Sequence, residues 1–415
     1  MQKKLLTLAV AGALAAPAVA LAQVEVYGTI HMSVNKMKYG EAVGGTPASV
    51  SKWDVASHAS NIGVRARESL GGGLSAWAQV ETNASMERSN NVAHTSNFAS
   101  RNSAVGLQGG WGNAFVGQWT TPWADLDALW GIGTVATYGP VTSIIGRRET
   151  TGAAPNPNCA NGGSGLGGGG TGTCDSVEGA GGVGHAFWRR ISNSIHYQSP
   201  VFGGAQVKIA YQTNQDKSTA TAAVNNSAAA VEADPQMYSA SVTWAGMGGR
   251  LRVGAAFDSH KDFTTIGQSD DGFRVTGGWN FGFADIGLAY EQMTYKTVAS
   301  DCEAVQMGIA IAVPIGQGAI RGSYSQADDI DGTFSGAGSC GAAGQGNNGA
   351  KQYNIGYDYR FSKRTTLGFG YAMIDNDDFA RFTWSGLSSA NDGQSVTPPS
   401  GSDVSIFFVS LIHRF

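Results

Sequence analysis

Apolar and polar side chains alternate with a period of two residues in many separate stretches of this chain. In residues 24–35, Val24, Val26 and Ile30 fall on one parity, whereas Glu25 and Tyr27 fall on the other. A helix would repeat its apolar positions about every 3.6 residues, and a strand buried on both faces would not alternate. Each stretch is therefore predicted to be a β-strand that has one face in an apolar environment and the other face in water.

The number and spacing of these stretches predict the fold class. Sixteen candidates are found, at residues 24–36, 60–69, 74–82, 101–109, 112–119, 191–198, 205–213, 237–244, 250–258, 272–281, 284–292, 302–313, 319–327, 351–361, 365–374 and 404–415. Short turns alternate with long polar loops, which is typical of barrels that cross a membrane. We predict an all-β, 16-stranded antiparallel transmembrane β-barrel with short periplasmic turns and long extracellular loops. A soluble β-sandwich is disfavoured because it would need an apolar inner face.

Glycine recurs on the polar parity of the predicted strands. The positions are Gly254, Gly278, Gly308, Gly356, Gly368 and Gly370. Glycine in a strand interior normally weakens a sheet, because it leaves no side chain to pack. In a water-filled barrel there is no core to fill, so these glycines are expected to leave the lumen wide.

The N-terminus has the pattern of a secretory signal peptide over residues 1–22. Lys3 and Lys4 precede an apolar stretch, and Ala20-Leu21-Ala22 matches a small-x-small cleavage site. The barrel is then expected to occupy residues 23–415, in an exported protein. The formal net charge is −4, and about −6 without the signal, which gives no electrostatic reason to expect nucleic-acid binding. No later stretch has the 18 apolar residues that a membrane helix needs.

The cysteines and histidines indicate disulfides rather than a metal or catalytic site. Cys159, Cys174, Cys302 and Cys340 form an even set in an exported chain, without the paired CxxC spacing of a zinc site. By position, Cys159 is expected to pair with Cys174, and Cys302 with Cys340. Neither HExxH nor GxSxG occurs, and the glycine-rich stretch after Cys159 lacks the Lys-Ser or Lys-Thr of a phosphate-binding loop. We therefore expect no metal, no cofactor and no enzymatic activity.

The last strand, residues 404–415, alternates and ends in a terminal phenylalanine, Phe415. Four further stretches carry strand and turn motifs, at residues 61–81, 100–112, 193–200 and 359–365. These five stretches resemble the proteobacterial general porins, and they occur in the order of that family.

The resemblance implies a passive outer-membrane channel for small hydrophilic solutes and ions. It further implies a homotrimer in the lipids of a Gram-negative outer membrane, and a third loop folded into the lumen. In that family the barrel-assembly machinery recognises the terminal strand, so the resemblance assigns an assembly signal to Phe415.

The third loop, residues 120–190, carries the candidate pore constriction. Asp125 and Asp127 lie where the family's constriction loop begins, and Arg65, Arg67 and Arg101 are expected on the facing wall. Facing acidic and basic walls orient dipolar solutes, and their balance sets ion preference. Gln118 stands where the family often has an arginine, which weakens the basic wall and argues against strong anion selectivity.

Two alternative functions remain open from the sequence. Trp119, Trp123 and Trp130 could line a stacking track in a substrate-selective channel, or they could pack the loop against the wall. A surface-interaction barrel with an occluded lumen is the other alternative.

Overall fold

The computed structural model describes most of the chain after residue 22. The described residues are 23–41, 49–84, 86, 98–133, 138–139, 144–145, 187–213, 218–220, 231–263, 267–297, 300–334, 340, 344, 346–384 and 399–415. The predicted signal peptide, residues 1–22, lies outside them. Within these ranges, no helix has both the length and the apolar character to cross a bilayer.

The strands form one closed antiparallel barrel of sixteen positions, as predicted. Its strands are β1 (Gln23–Tyr39), β2 (Val50–Ser57), β3 (Asn61–Gly71), β4 (Leu74–Asn83), β5 (Ser103–Gly109), β6 (Gly112–Thr120), β7 (Arg190–Gln198), β8 (Ala205–Gln212), β11 (Gln236–Gly246), β12 (Leu251–Lys261), β13 (Ser269–Asn280), β14 (Asp285–Lys296), β15 (Asp301–Ile315), β16 (Gly318–Ala327), β17 (Ala350–Arg360), β18 (Thr365–Asn376) and β19 (Val404–Arg414). A separate hairpin, β9 (Ser218–Ala220) and β10 (Val231–Ala233), lies between β8 and β11. Two short helices, α1 (Pro122–Asp125) and α2 (Asp127–Trp130), precede a 3₁₀ turn at Gly131–Gly133, and a second 3₁₀ turn lies at Met247–Gly249.

The first and last strands close the barrel. β1 and β19 pair in register from Thr29 opposite Arg414 to Tyr39 opposite Val404. Below this ladder, the backbone N–H and C=O of Phe415 both bond to Gly28, at 3.1 Å each. Closure removes the free sheet edges, so every strand finds backbone partners within the membrane.

One barrel position is made of two strands that β1 holds in line. The upper half of β1 pairs with β2, and its lower half pairs with β3. Residues 58–60 interrupt the strand, and Ala59 there has a φ of 50°. The sequence interpretation predicted only the lower part, residues 60–69, so the extension through β2 is a finding of the structure.

The two faces of the wall have the predicted chemistry. On β13, the outward Phe273 and Val275 are exposed at 47% and 40%, whereas the inward Arg274 and Thr276 are buried. An outward apolar side chain meets lipid, and a polar inward side chain meets the lumen or the loop within it.

The third loop covers the inner wall from β11 around to β1. Its Trp130, Tyr138, Ile144 and Ile145 are fully buried in a cluster with inward side chains that include Ile406 of β19. A second cluster joins the loop to β12, β14 and β15. The packed core of this protein therefore lies between the loop and one side of the wall.

The inward glycines of β12 to β15 make room for this loop. A Cβ at Gly254 would lie 2.7 Å from Cδ1 of Leu129, and one at Gly308 would lie 2.8 Å from the Trp130 ring. A Cβ at Gly278 would lie 2.6 Å from the Leu129 carbonyl oxygen. The expectation that these three glycines widen the lumen is wrong, because the loop occupies the space that they leave.

One of the two expected disulfides is present. Cys302 and Cys340 are bonded, with their Cα atoms 5.6 Å apart and a sequence separation of 38. The bond ties the start of β15 to the loop that follows β16. Cys159 and Cys174 lie outside the described residues, so their pairing stays a prediction.

Removing the Cys302–Cys340 bond is expected to loosen the outer rim. A disulfide that closes a loop of this length contributes about 2–4 kcal/mol, so C302S/C340S should speed amide hydrogen exchange at residues 300–334 about 30-fold or more. Exchange within β11 to β14 should be unchanged. C159S/C174S is the matched control, and equal exchange in C302S/C340S and the wild type would contradict the prediction.

Candidate functional site

The third loop enters the barrel through a capped helical segment, residues 121–133, called here the anchor segment. Thr121 is the N-cap of α1, and its hydroxyl accepts from the amide of Ala124 at 3.3 Å. Pro122 occupies the first helical turn, where its missing N–H costs nothing. The Thr-Pro pair therefore starts a helix at the point where β6 ends.

Backbone carbonyls at every third residue hold the anchor segment against the wall. Arg274 donates to the carbonyl of Trp123 at 3.0 Å, and Thr276 donates to that of Leu126 at 3.3 Å. Arg252 donates to the carbonyl of Leu129 at 3.4 Å. Arg321 donates to the carbonyl of Ile132. This spacing puts the four carbonyls on one side of the segment, which therefore runs along β13, β12 and β16 with that side against the wall.

Arg274 is the centre of this attachment. Its side chain is fully buried. Besides donating to the Trp123 carbonyl, it donates to the carboxylate of Asp127 and forms an ion pair with Glu291, with Nε 3.3 Å from Oε2. Its guanidinium also lies 5.9 Å from the centroid of the Trp123 ring. A buried guanidinium needs partners of this kind, because removing a charge from water is costly unless it is paired and hydrogen-bonded.

A second attachment lies across the barrel, at the interruption between β2 and β3. The hydroxyl of Tyr138 lies 3.2 Å from both Ser33 Oγ and His58 Nε2, and those two atoms are 2.5 Å apart. The carbonyl of Tyr138 accepts from Asn354 at 2.9 Å. The interruption therefore places His58 where it contacts the loop, and the loop is bonded to both sides of the closure.

The loop returns to the wall beside its own start. Phe187 packs 5.3 Å from the Trp123 ring, and Trp188 Nε1 donates to Asp127 at 2.5 Å. The carbonyl of Arg189 accepts from the amide of Thr121 at 3.1 Å. Burial lowers the pKa of Arg189 to about 10, so this side chain stays cationic at neutral pH.

Among the described residues, the anchor segment faces the wall formed by β1 and β3 to β8 across a space called here the passage. Three ion pairs border it: Arg65 with Glu25 at 2.8 Å, Arg101 with Glu81 at 2.5 Å, and Lys208 with Asp125 at 2.6 Å. Arg67 also projects inward from β3, is exposed, and donates to Ser75 at 3.3 Å. Arg67 has no ion pair within the described part of the chain.

The structure separates the predicted acidic residues. Asp125 is partly exposed on the passage side of the anchor segment, and Ala128 is exposed one turn later. Asp127 instead bonds Arg274 and Trp188 against the opposite wall. Of the two acidic residues expected in the constriction, Asp125 is thus the one directed at the passage.

The three tryptophans of the suggested stacking track are also separated. Trp123 and Trp130 are fully buried between the loop and the wall, so the suggestion that they line the pore is wrong for both. Their large apolar rings fill the space above the inward glycines. Trp119 is half-buried, at the end of β6, and contacts Trp77 and Phe115.

Several residues of the site were not identified from the sequence. Three of them are Trp77, Glu81 and Lys208. The inward orientation of each could have been predicted from the alternation of β4 and β8. The role of Arg274 had no such signal, because the period of a strand does not tell which part of the wall a loop covers.

Comparisons with known proteins agree with this architecture. The sequence model described as Gram-negative porin matches residues 7–378. The chain is 24% identical to major outer membrane protein P.IB of Neisseria meningitidis, covering 88% of this chain and 91% of that protein. It is 25% identical to outer membrane porin protein 32 of Delftia acidovorans, covering 91% of each.

Solved structures share the fold at lower identity. The anion-selective porin from Comamonas acidovorans superposes with a TM-score of 0.61 at 20% identity, covering 95% of this chain and 100% of that one. OmpF of Salmonella typhi superposes with a TM-score of 0.56 at 13% identity, covering 95% and 98%. The family and the names of these relatives point to a channel rather than an enzyme. The chain belongs to the Gram-negative porins and forms a diffusion channel in the outer membrane.

Proposed function

We propose that this porin conducts small hydrophilic solutes and ions passively, with a modest preference for anions. The observation that supports this preference is the distribution of charged side chains around the passage. Within the part of the chain that the structure describes, four cationic side chains (Arg65, Arg67, Arg101 and Lys208) and three anionic ones (Glu25, Glu81 and Asp125) border it, and Arg67 is the one without an ion-paired partner among these seven.

The preference is expected to be modest because three of the four cations are neutralised at short range. One unpaired charge about 7 Å from a permeating ion contributes about 0.6 kcal/mol in a water-like dielectric, and screening at about 0.1 M salt reduces this to about 0.3 kcal/mol. Because the charge favours an anion and disfavours a cation by the same amount, the difference is about 0.6 kcal/mol, which is roughly threefold in an anion-to-cation ratio. The facing charges of β3 and the anchor segment also give the passage a transverse field, which orients dipolar solutes. The constriction role of Arg65, Arg67, Arg101 and Asp125 is part of this proposal.

The test is the reversal potential of the purified protein in planar bilayers under a potassium chloride gradient. The wild type should show ohmic conductance with a reversal potential on the anion-selective side. Arg67→Gln should bring the anion-to-cation permeability ratio down roughly threefold with little change in conductance.

Lys351→Gln is the matched control. Lys351 is exposed on the outward face of β17, so this variant loses one positive charge outside the passage. A cation-selective wild type, or equal shifts in Arg67→Gln and Lys351→Gln, would overturn the proposal.

The proposed assembly is a homotrimer. One solved relative in the fold comparison, OmpT of Vibrio cholerae, is described in a trimer form. The proposal further includes export through the predicted signal of residues 1–22, lipid contact over the outward face, and recognition of Phe415 by the barrel-assembly machinery. Cross-linking of the purified protein and conductance steps in groups of three test the trimer.

A further inference from the structure

An aromatic row crosses the wall of the passage on β4, β5, β6 and β7. Trp77 lies opposite Gly106, Gly106 opposite Phe115, and Phe115 opposite His196. A Cβ at Gly106 would lie 2.5 Å from Cβ of Phe115 and 2.8 Å from Nε1 of Trp77. The glycine therefore leaves the space in which the Trp77 ring lies across β5.

Trp119 joins this row from the end of β6. Trp119 has the same parity on β6 as Phe115, so it also faces inward, and the register shift between Gly117 and Trp119 leaves the extra residue on β7. Its ring lies 5.8 Å from Trp77 at an interplanar angle of 69°, and 5.1 Å from Phe115 at 64°. Trp77 and Trp119 thus form two steeply inclined walls, called here the aromatic corner.

The floor of the aromatic corner is buried and its two walls are partly open. Phe115 and His196 are each 3% exposed and stack on one another, with ring centroids 4.8 Å apart. Trp77 and Trp119 are only half-buried, and Trp77 is fixed by a 2.8 Å hydrogen bond from Nε1 to Asn113. In contrast to Trp123 and Trp130, these rings keep apolar surface turned towards the passage.

A guanidinium adjoins the corner. Arg67 is directly opposite Trp77 in the ladder between β3 and β4, and both project inward. Directly opposite side chains in an antiparallel pair have Cβ atoms about 4.5–5.5 Å apart. The cation of Arg67, which forms no ion pair with a described acidic residue, therefore lies beside the half-buried Trp77 ring.

We infer that the aromatic corner and Arg67 form a binding subsite for small aromatic carboxylates in transit. A planar ring would stack on one indole and meet the other edge-on, which is the favoured geometry for aromatic groups. Its carboxylate would accept charge-assisted hydrogen bonds from Arg67. Such a site is weak, as transit requires, because a channel must release what it binds. The inference rests on the proposed channel function and names the solute class for which the passage has affinity.

The test is a titration of chloride current with sodium benzoate at constant ionic strength in planar bilayers. Benzoate should reduce the current saturably in the millimolar range, and acetate should not. Trp77→Leu and Trp119→Leu should each weaken the apparent affinity for benzoate about threefold to tenfold, measured relative to each variant's own chloride conductance. Arg67→Gln should weaken it about tenfold while leaving the effect of uncharged benzyl alcohol unchanged.

Trp53→Leu is the control, because Trp53 is a tryptophan on the outward face of β2 with 70% exposure.

A second measurement is saturation-transfer NMR of benzoate with the protein in detergent, which does not need a conducting channel. The subsite alone would be overturned if the wild type carried chloride current that benzoate did not reduce saturably. It would also be overturned if Trp119→Leu bound benzoate as tightly as the wild type. A wild type without chloride current would sink the proposed function, and NMR would then still decide the subsite. If a neutral sugar reduced the chloride current saturably, and this effect depended on Trp77 but not on Arg67, the proposed specificity for anions would be overturned.

Discussion

Arg274→Ala is expected to detach the anchor segment from the wall. The substitution removes the buried guanidinium that forms an ion pair with Glu291 and donates to both Asp127 and the Trp123 carbonyl. Breaking one partner of a buried charge network costs about 3–5 kcal/mol. The barrel ladders are untouched, so we expect that cost to appear as loop displacement, with larger and noisier single-channel conductance and a shift towards cations.

Single-channel recording in planar bilayers checks this expectation, with heat-modifiable gel mobility as the readout of barrel folding. Arg274→Lys should be intermediate, because an ammonium keeps the charge but lacks the planar fork that reaches several acceptors. Arg250→Ala removes an exposed arginine at a turn and is the matched control. Steady conductance of wild-type size in Arg274→Ala would contradict the assigned role of Arg274.

Gly287→Ala should displace the same segment without changing any charge. A Cβ at Gly287 would lie 2.4 Å from the carbonyl oxygen of Trp130 and 2.7 Å from its Cα. Both are backbone atoms, so no side-chain rotation relieves the overlap and the anchor segment must move. We expect faster trypsin or proteinase K cleavage in the third loop and increased open-channel noise, at nearly unchanged barrel stability.

Gly277→Ala is the control on the neighbouring strand. Gly277 faces outward on β13, and a Cβ there would meet the Arg252 carbonyl at 3.1 Å and a Val253 methyl at 3.4 Å. It tests the general cost of a methyl group on this sheet without touching the loop. If Gly287→Ala and Gly277→Ala behave alike in proteolysis and recording, the glycine does not position the loop.

Alternation predicted most of the fold because a transmembrane strand must present one parity to lipid and the other to polar surroundings. β2 was not predicted, because its sequence lacks this regular alternation. Its outward Ser51 and Trp53 alternate with inward Lys52 and Asp54, so neither parity is uniformly apolar. The interruption at residues 58–60 then separated it from the recognisable part of the strand.

The site was harder to predict than the wall. The inward positions of Arg65 and Arg67 follow from parity, and the structure has both on the inner face of β3. Which charges neutralise each other depends on the path of the loop, and nothing in the period of a strand encodes that path. The inward glycines of β12 to β15 mark the path of the loop along the wall, but from the sequence alone they were interpreted as leaving the lumen wide.

The attachment of the anchor segment through its backbone has a consequence for how this channel can diversify. The wall arginines and Thr276 bind carbonyl groups, which every amino acid supplies, so the segment's position depends little on which side chains it carries towards the passage. Asp125 and Ala128 are therefore free to vary while the scaffold stays fixed. If the proposed constriction role of Asp125 holds, the residues that fix the loop are separate from those that set selectivity, and we expect substitutions at these two positions to change selectivity without disturbing the barrel.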